Sequence, residues 1–265
     1  MRQAANIQIN DLIFIARKAG KQISDIYNQN PLNWELTFKN DNSPLTMADK
    51  LSNTIICNYL KEFYPEIPII SEENKNVEYE IRKNYQLYWL IDPLDGTKEF
   101  IKRNGEFTVN IALIEKNKPI AGVVYIPVSD KFYYACIGEG AWCKDSSGTN
   151  RINAANFDMN EENLSIVASR SHFNADTENF VQQFKNPVLV SKGSSLKFML
   201  IAEGKAHIYP RLGPTMEWDT AAAQIIVEEA GGKVVDFYNR KQLKYNKEQF
   251  LNPFFIVTGI VKENS

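Results

Sequence analysis

The chain has 265 residues, 44% hydrophobic and 23% charged, with a net charge of −2 from 30 basic and 32 acidic side chains. That length supports one large domain or two intimate subdomains with a full core. The near-neutral balance, without any basic block, argues against a nucleic-acid polymer or an anionic membrane surface as the main partner, while a small anionic ligand stays open.

Three cysteines (Cys57, Cys136, Cys143) contain no Cys-x-x-Cys pair, which argues against a disulfide framework or a zinc site. Two histidines, His172 and His207, rule out a histidine-rich metal centre. Residues 1–10 lack the apolar core and cleavage site of a signal peptide. No later run approaches the length of a transmembrane helix, so a cytoplasmic protein with reduced thiols is expected.

Leu12, Ile15, Ala16, Ala19, Ile23 and Ile26 recur at helical spacing and predict an amphipathic helix from Ile7 to Tyr27. Thr37 to Asn42 reads as extended and polar. After Ser43-Pro44 a second helix is predicted from Met47 to Phe63, stopped by Tyr64-Pro65. Ile67 to Ser71 is a short apolar run, a strand that delivers Glu72-Glu73 at its end. Tyr88 to Ile91 is the next strand, ending where Asp92 begins.

From Phe107 to Cys143, apolar runs separated by Lys116-Asn117-Lys118-Pro119 and Ser129-Asp130-Lys131 predict an antiparallel meander. Polar Lys144 to Arg151 marks a subdomain boundary, dividing residues 1–148 from 149–265. Beyond it, strands are predicted at Leu164 to Ala168, Val188 to Val190 and Ala206 to Tyr209. Helices are predicted at Ala175 to Phe184, Ser195 to Glu203 and Thr220 to Ala230. A closing hairpin from Lys233 to Leu243 and a last buried strand, Phe254 to Val257, complete the chain. An α+β half followed by an α/β half implies layered sheets and helices.

The chemistry concentrates in Asp92-Pro93-Leu94-Asp95-Gly96-Thr97, directly behind a buried strand. Two carboxylates flank a proline that fixes the turn, a glycine lets backbone approach a ligand, and a hydroxyl residue opens a short helix. Asp49 sits at the start of one predicted helix, Glu72 at the end of a strand, and Asp219 in Trp218-Asp219-Thr220-Ala221-Ala222 at the start of another helix. Strand ends in layered α/β proteins are where ligands bind. Five converging acids repel one another unless a divalent cation joins them, and an all-oxygen set with phosphate suits magnesium.

In this order the motifs resemble the inositol monophosphatase superfamily of magnesium-dependent, lithium-sensitive phosphatases. The residues that carry the resemblance are Glu72-Glu73, Asp92 to Thr97, and Trp218 to Ala222. Lys98-Glu99-Phe100, Ser169-Arg170-Ser171-His172, Gly193 to Phe198 and Tyr209 to Thr215 look like its 3′(2′),5′-bisphosphate nucleotidase branch.

The resemblance implies a layered α-β-α-β-α sugar-phosphatase-like fold and two or more Mg2+ ions per active site. Glu72, Asp92 and the Leu94 carbonyl would hold one ion, and Asp92, Asp95 and Asp219 a second. Gly96 and Thr97 would meet the scissile phosphate. Asp49 and the Thr97 hydroxyl would orient and deprotonate the attacking water, with Glu72 holding a water nearby.

The implied substrate is a small-molecule nucleotide, adenosine 3′,5′-bisphosphate, cleaved to AMP and phosphate in sulfur metabolism, with 3′-phosphoadenylyl sulfate as a further candidate. Lys197 and Arg211 are the candidates for the second phosphate. Ser194 would add a hydroxyl or amide contact, and Ser169 to His172 would line the base or ribose. Tyr209 and Trp218 read as core aromatics and His207 as structural. Peripheral inner-membrane attachment is ascribed to this branch, though no amphipathic anchor is visible here.

Three alternatives stand beside this reading. One is an inositol or sugar monophosphatase on the same scaffold, and another a non-catalytic metal- or nucleotide-binding regulator. The third, an aspartyl-phosphate mechanism, is disfavoured because two residues rather than one separate Asp92 from Asp95.

Overall fold

The structure, a computed structural model, describes residues 7–31, 34, 37–38, 44–74, 77–168 and 174–262. Helix α1 (Ile9–Tyr27) buries Leu12, Ile15, Ala16, Ala19, Ile23 and Ile26, the stripe its spacing dictates. A short antiparallel ribbon of β1 (Thr37–Phe38) and β2 (Pro44–Leu45) leads into α2 (Met47–Phe63), which ends before Pro65.

A seven-stranded sheet follows. Strand β3 (Ile69–Ser71) precedes a single 3-10 turn at Glu72–Asn74, then the one-turn α3 (Tyr79–Arg82) and β4 (Leu87–Asp95). The short α4 (Thr97–Ile101) connects to the meander β5 (Thr108–Glu115), β6 (Lys118–Ile126), β7 (Lys131–Cys136), β8 (Gly140–Asp145) and β9 (Gly148–Ile152). Strand order is sequential; β3 and β4 run parallel and every other pair antiparallel. The polar stretch from Lys144 to Arg151, where composition marks a boundary, falls largely in the β8–β9 hairpin of this sheet.

The second sheet has five strands in the order β12-β11-β13-β15-β14. Its elements are β10 (Asn156–Phe157), which pairs outside it, then β11 (Ser165–Ala168), α5 (Ala175–Val181), β12 (Val188–Ser191), α6 (Leu196–Ala202) and β13 (Ile208–Arg211). After a 3-10 turn at Glu217–Asp219 come α7 (Ala221–Glu229), β14 (Lys233–Asp236), β15 (Phe255–Thr258) and β16 (Ile260–Val261), the partner of β10.

The period of two along each strand divides the core into layers. In β4, Trp89 and Ile91 pack with α1 and α2, while Tyr88 and Leu90 join a second core with α6 and α7. That second core also receives Val167, Tyr209, Phe255 and Val257 from the five-stranded sheet. Its opposite face, with Ile166, Ile208 and Ile256, packs on Phe180 and Val181 of α5. The result is helix, sheet, helix, sheet, helix, the α-β-α-β-α sandwich expected. Among the described residues no helix is long and apolar enough to cross a membrane.

Two expectations need correction. Strand β4 does not end at Ile91 but continues through both acids to Asp95, with a register shift between Asp92 and Asp95. Pro93 has no N–H for the ladder, so the strand bulges there and resumes. The closing hairpin from Lys233 to Leu243 is reduced to a single bridge, Val235 with Gln242. Strand β14 instead pairs along its four residues with β15, whose Phe255, Ile256 and Val257 are buried.

Candidate active site

The acids come together through local geometry at helix starts, turns and the bulge of β4. Helix α2 opens with a capping box: Ala48 N donates to Thr46 Oγ1 at 3.2 Å, and Thr46 N donates to Asp49 Oδ2 at 2.7 Å. Asp49 thus caps its own helix with one oxygen. Its other oxygen, Oδ1, accepts the Thr97 hydroxyl at 2.9 Å. Ser52, one turn along, donates to the Pro93 carbonyl at 2.7 Å and ties α2 to the β4 bulge.

Within that bulge Leu94 N donates to Asp92 Oδ1 at 3.1 Å, and Asp92 and Leu94 are both buried. Gly96 adopts φ +95°, and a Cβ there would lie 3.2 Å from the Glu106 carbonyl and from Ser194 Cβ. The turn therefore needs glycine on two counts.

Asp219 arrives from the other sheet. It closes the 3-10 turn after β13, where its Oδ2 accepts Met216 N at 2.8 Å. The N-cap of α7 is Thr220, so Asp219 is not spent on that cap. Its turn is braced by the 245–252 segment. Glu217 N donates to the Phe250 carbonyl, Asn252 N to the Thr215 carbonyl, and Asn252 Nδ2 to the Met216 carbonyl. The fully buried Glu217 carboxylate accepts Asn246 N, Lys247 N and Lys247 Nζ at 2.5 to 3.0 Å.

One carboxylate oxygen each from Glu72, Asp92 and Asp219 lie within 4.8 Å of one another. Burial, and then the charges of Asp95 and Glu72, push the Asp219 carboxyl up to about 8. Acids this crowded, all oxygen donors, fit a hard divalent cation.

Asp95 is outside that trio. Its Oδ2 accepts Ser194 Oγ at 2.7 Å, Ser195 N at 2.7 Å, Ser195 Oγ at 2.6 Å and Asn110 Nδ2 at 3.3 Å. The Leu94 carbonyl, another expected ligand, accepts a long 3.4 Å contact from the Thr97 hydroxyl.

A second cleft adjoins the acids and shares Asp95, Gly96, Lys98, Glu99, Thr215 and Asp219 with them. Lys197 and Arg211 line it, each only 8% exposed. Lys197 Nζ donates to the Ser194 carbonyl at 2.7 Å, and burial pushes its pKa down to about 8 against the pull of Asp95. Arg211 Nη2 donates to the Pro214 carbonyl at 2.8 Å, while its buried Nε has no hydrogen-bond partner among the described residues.

Tyr209 and Trp218 are core aromatics, as expected, although the Tyr209 ring also lines this cleft. His207 is structural, accepting Ser165 N at 2.9 Å and packing edge-on to Phe157. Ser169 to His172, expected near base or ribose, lie outside the described residues.

Sequence reasoning passed over Ser195, Asn110 and Glu217. Asn110 had a readable signal. Thr108 and Asn110 are two polar residues on the face of β5 that they share with Ala112 and Ile114, both buried, and their side chains bond to each other at 3.0 Å.

Residues 9–258 match the profile of the inositol monophosphatase family. The chain is 47% identical over 246 residues to the 3′(2′),5′-bisphosphate nucleotidase CysQ of Salmonella typhimurium, covering 92% of this chain and 96% of that protein. It is 49% identical over 250 residues to the protein of the same name from Buchnera aphidicola, covering 93% and 91%. Among solved structures, the crystal structure of CysQ from Bacteroides thetaiotaomicron, a bacterial member of the inositol monophosphatase family, superimposes with a TM-score of 0.85. That match has 40% identity and covers 97% of this chain and 99% of the other.

Proposed function

The chain belongs to the inositol monophosphatase family, and on that premise we propose that it hydrolyses the 3′-phosphate of adenosine 3′,5′-bisphosphate, giving AMP and phosphate. The observation that carries this reading is the pairing of clefts. A crowded acid trio shares walls with a cleft holding two buried cations, Lys197 and Arg211. A substrate with two separated phosphates answers both needs; a monophosphate leaves the cation cleft unused. The curated relatives carry the matching name.

Glu72, Asp92 and the Leu94 carbonyl are the residues that would hold one magnesium ion, and Asp92, Asp95 and Asp219 a second. When bound, such ions lower the pKa of water and neutralise the charge that grows on the leaving oxygen. Everything else falls to the protein's own side chains. The Thr97 oxygen accepts a proton from the attacking water while its hydroxyl proton moves along the existing 2.9 Å bond to Asp49 Oδ1. Water oxygen adds to phosphorus, and the bond from phosphorus to the ribose 3′ oxygen breaks. That oxygen leaves with the electron pair and takes up a proton from solvent.

Gly96 and Thr97 are the candidates for amide contacts to the scissile phosphate. Lys197 and Arg211 grip the 5′-phosphate, Arg211 through a planar fork that phosphate matches. A 5′-phosphosulfate would present a similar anion there, which makes 3′-phosphoadenylyl sulfate a second substrate to test.

The deciding measurement is phosphate release from adenosine 3′,5′-bisphosphate, inositol 1-phosphate and fructose 1,6-bisphosphate, each with and without magnesium. The bisphosphate nucleotide is expected to give the highest kcat/KM, and chelation to abolish turnover. A higher kcat/KM for an inositol or sugar phosphate would reject the nucleotide assignment and leave the phosphatase chemistry standing.

A further inference from the structure

Of the three carboxylates that line both clefts, Asp95, Glu99 and Asp219, Asp95 is the one gripped by the turn at 193–195. Asp95 lines both clefts, yet its Oδ2 is held by three donors from the turn at 193–195: Ser194 Oγ, Ser195 N and Ser195 Oγ, all at 2.6 to 2.7 Å. Behind the turn, Asn110 Nδ2 donates to Ser195 Oγ at 2.8 Å, so the hydroxyl hydrogen is directed away from Asn110. Ser195 Oγ also lies 3.3 Å from the Asp219 carbonyl. Ser195 and Asn110 are each 1% exposed, so no solvent replaces a lost partner.

The same turn reaches the other cleft through the Ser194 carbonyl, which accepts Lys197 Nζ at 2.7 Å. Its far side is pinned too. Gly193 N donates to Glu106 Oε2 at 2.9 Å, and a Cβ on Gly193 would lie 2.7 Å from Glu99 Cγ. Ser194 itself holds a left-handed backbone, φ +50°, which costs energy in a non-glycine residue and persists only where its surroundings enforce it.

A carboxylate with one oxygen saturated by three donors is fixed in rotation, which leaves the other oxygen to be aimed. We propose that Ser195 is a positioning residue that aims Asp95 at a divalent cation, and that the 193–195 turn makes nucleotide and cation tighten each other's binding. The inference rests on the reading above, in which Asp95 and Asp219 hold the cation and Lys197 a phosphate. The electrostatics set the sign. Asp95, Glu99 and Asp219 are the acids that compensate the buried Lys197, with Arg211 opposing it. A cation on Asp95 and Asp219 withdraws that compensation, and a phosphate on Lys197 and Arg211 restores it. Each ligand therefore favours the other, by equal factors.

Mn2+ serves as the probe, since it shares oxygen-rich sites with magnesium. Its affinity is measured calorimetrically on the whole protein, with and without saturating AMP, which carries a 5′-phosphate but no scissile 3′-phosphate. In the wild type, AMP is expected to tighten Mn2+ several-fold. Ser195→Ala should weaken Mn2+ roughly tenfold, the low end for loss of a group that orients a ligand. It should also bring the AMP effect close to unity, while AMP alone binds within about twofold of wild type. A merely structural role would lower the melting temperature and leave both quantities unchanged.

Asn110→Ala, which keeps the hydroxyl but removes the amide that orients it, should show the same pattern at smaller size. It decides the matter if Ser195→Ala does not fold. Wild-type Mn2+ affinity and an intact AMP effect in the variants overturn the inference and leave the nucleotidase reading in place. A wild-type protein that binds no Mn2+ overturns both.

Discussion

Lys197 shows how burial writes a pH dependence into a binding residue. Its folded pKa lies near 8, below the ordinary 10.5, because burial disfavours the ammonium form. The charge available to a phosphate is therefore present below about pH 8 and lost as pH rises through it. Since kcat/KM reports the free enzyme, it should fall above pH 8 for the bisphosphate nucleotide. In Lys197→Met it should be lower by roughly 10- to 100-fold, from a charged hydrogen bond worth about 1.5–3 kcal/mol, and flat across that limb. A limb that survives in Lys197→Met would assign the pH dependence to another group.

The pair of Thr97 and Asp49 gives a different signature. Thr97→Val and Asp49→Asn should each lower kcat by about 10²–10⁴ with little change in KM, the range for a positioned proton acceptor. The double variant should be no worse than either single, because the two residues act on one proton. Additive losses from steady-state kinetics would break the pair.

At the scale of elements, the fit of β6 against α7 is tighter than either sequence announces. A Cβ on Gly122 would lie 2.8 Å from the Ala222 carbonyl oxygen and 2.9 Å from Ala222 Cα, backbone that cannot rotate aside. Gly122→Ala should therefore cost about 1–3 kcal/mol in urea denaturation, the usual penalty for overpacking. Neutral stability would mean that the helix slides freely on the sheet.

Elements with a strong apolar period were legible in the sequence. Helix α2 runs over the predicted Met47–Phe63, and the meander pairs as expected. What escaped had no local period. Strand β9, Gly148–Ile152, is almost wholly exposed and polar, so nothing marks it as a strand except its partner β8. The continuation of β4 through Pro93 hides behind residues that resemble a turn. The acids could be read because each lies just after an apolar run or at the start of a helix, a local signal. The roles of Ser195, Asn110 and Glu217 depend on contacts with distant segments, and a single chain of letters does not display those.

The whole molecule is organised so that the acid centre closes only when both sheets are in place. Glu72 comes from the turn that follows β3 and Asp92 from the bulge within β4, while Asp219 comes from the turn between β13 and α7. That turn is held by the 245–252 segment, itself bolted to the first half by Arg82. Arg82 donates to Asn246 Oδ1, the Lys247 carbonyl and the Glu248 carbonyl, and stacks 4.0 Å from the Phe250 ring centroid. Without a cation the junction holds crowded, buried acids: burial first, and then the charges of Asp95 and Glu72, raise the pKa of Asp219. A divalent ion that binds only the assembled centre stabilises the fold by mass action, about 2.7 kcal/mol at a hundred times its dissociation constant. For a chain of this size that corresponds to roughly 5–10 °C in melting temperature. Calorimetry in magnesium against a chelator should show this gain for the wild type. Asp219→Asn replaces a carboxyl whose ionised form burial and its acidic neighbours disfavour, so the metal-free variant should melt no lower than metal-free wild type, while magnesium should add little to it. An undiminished gain in Asp219→Asn would place the stabilising cation away from the trio and separate the metal from the junction it is argued to close.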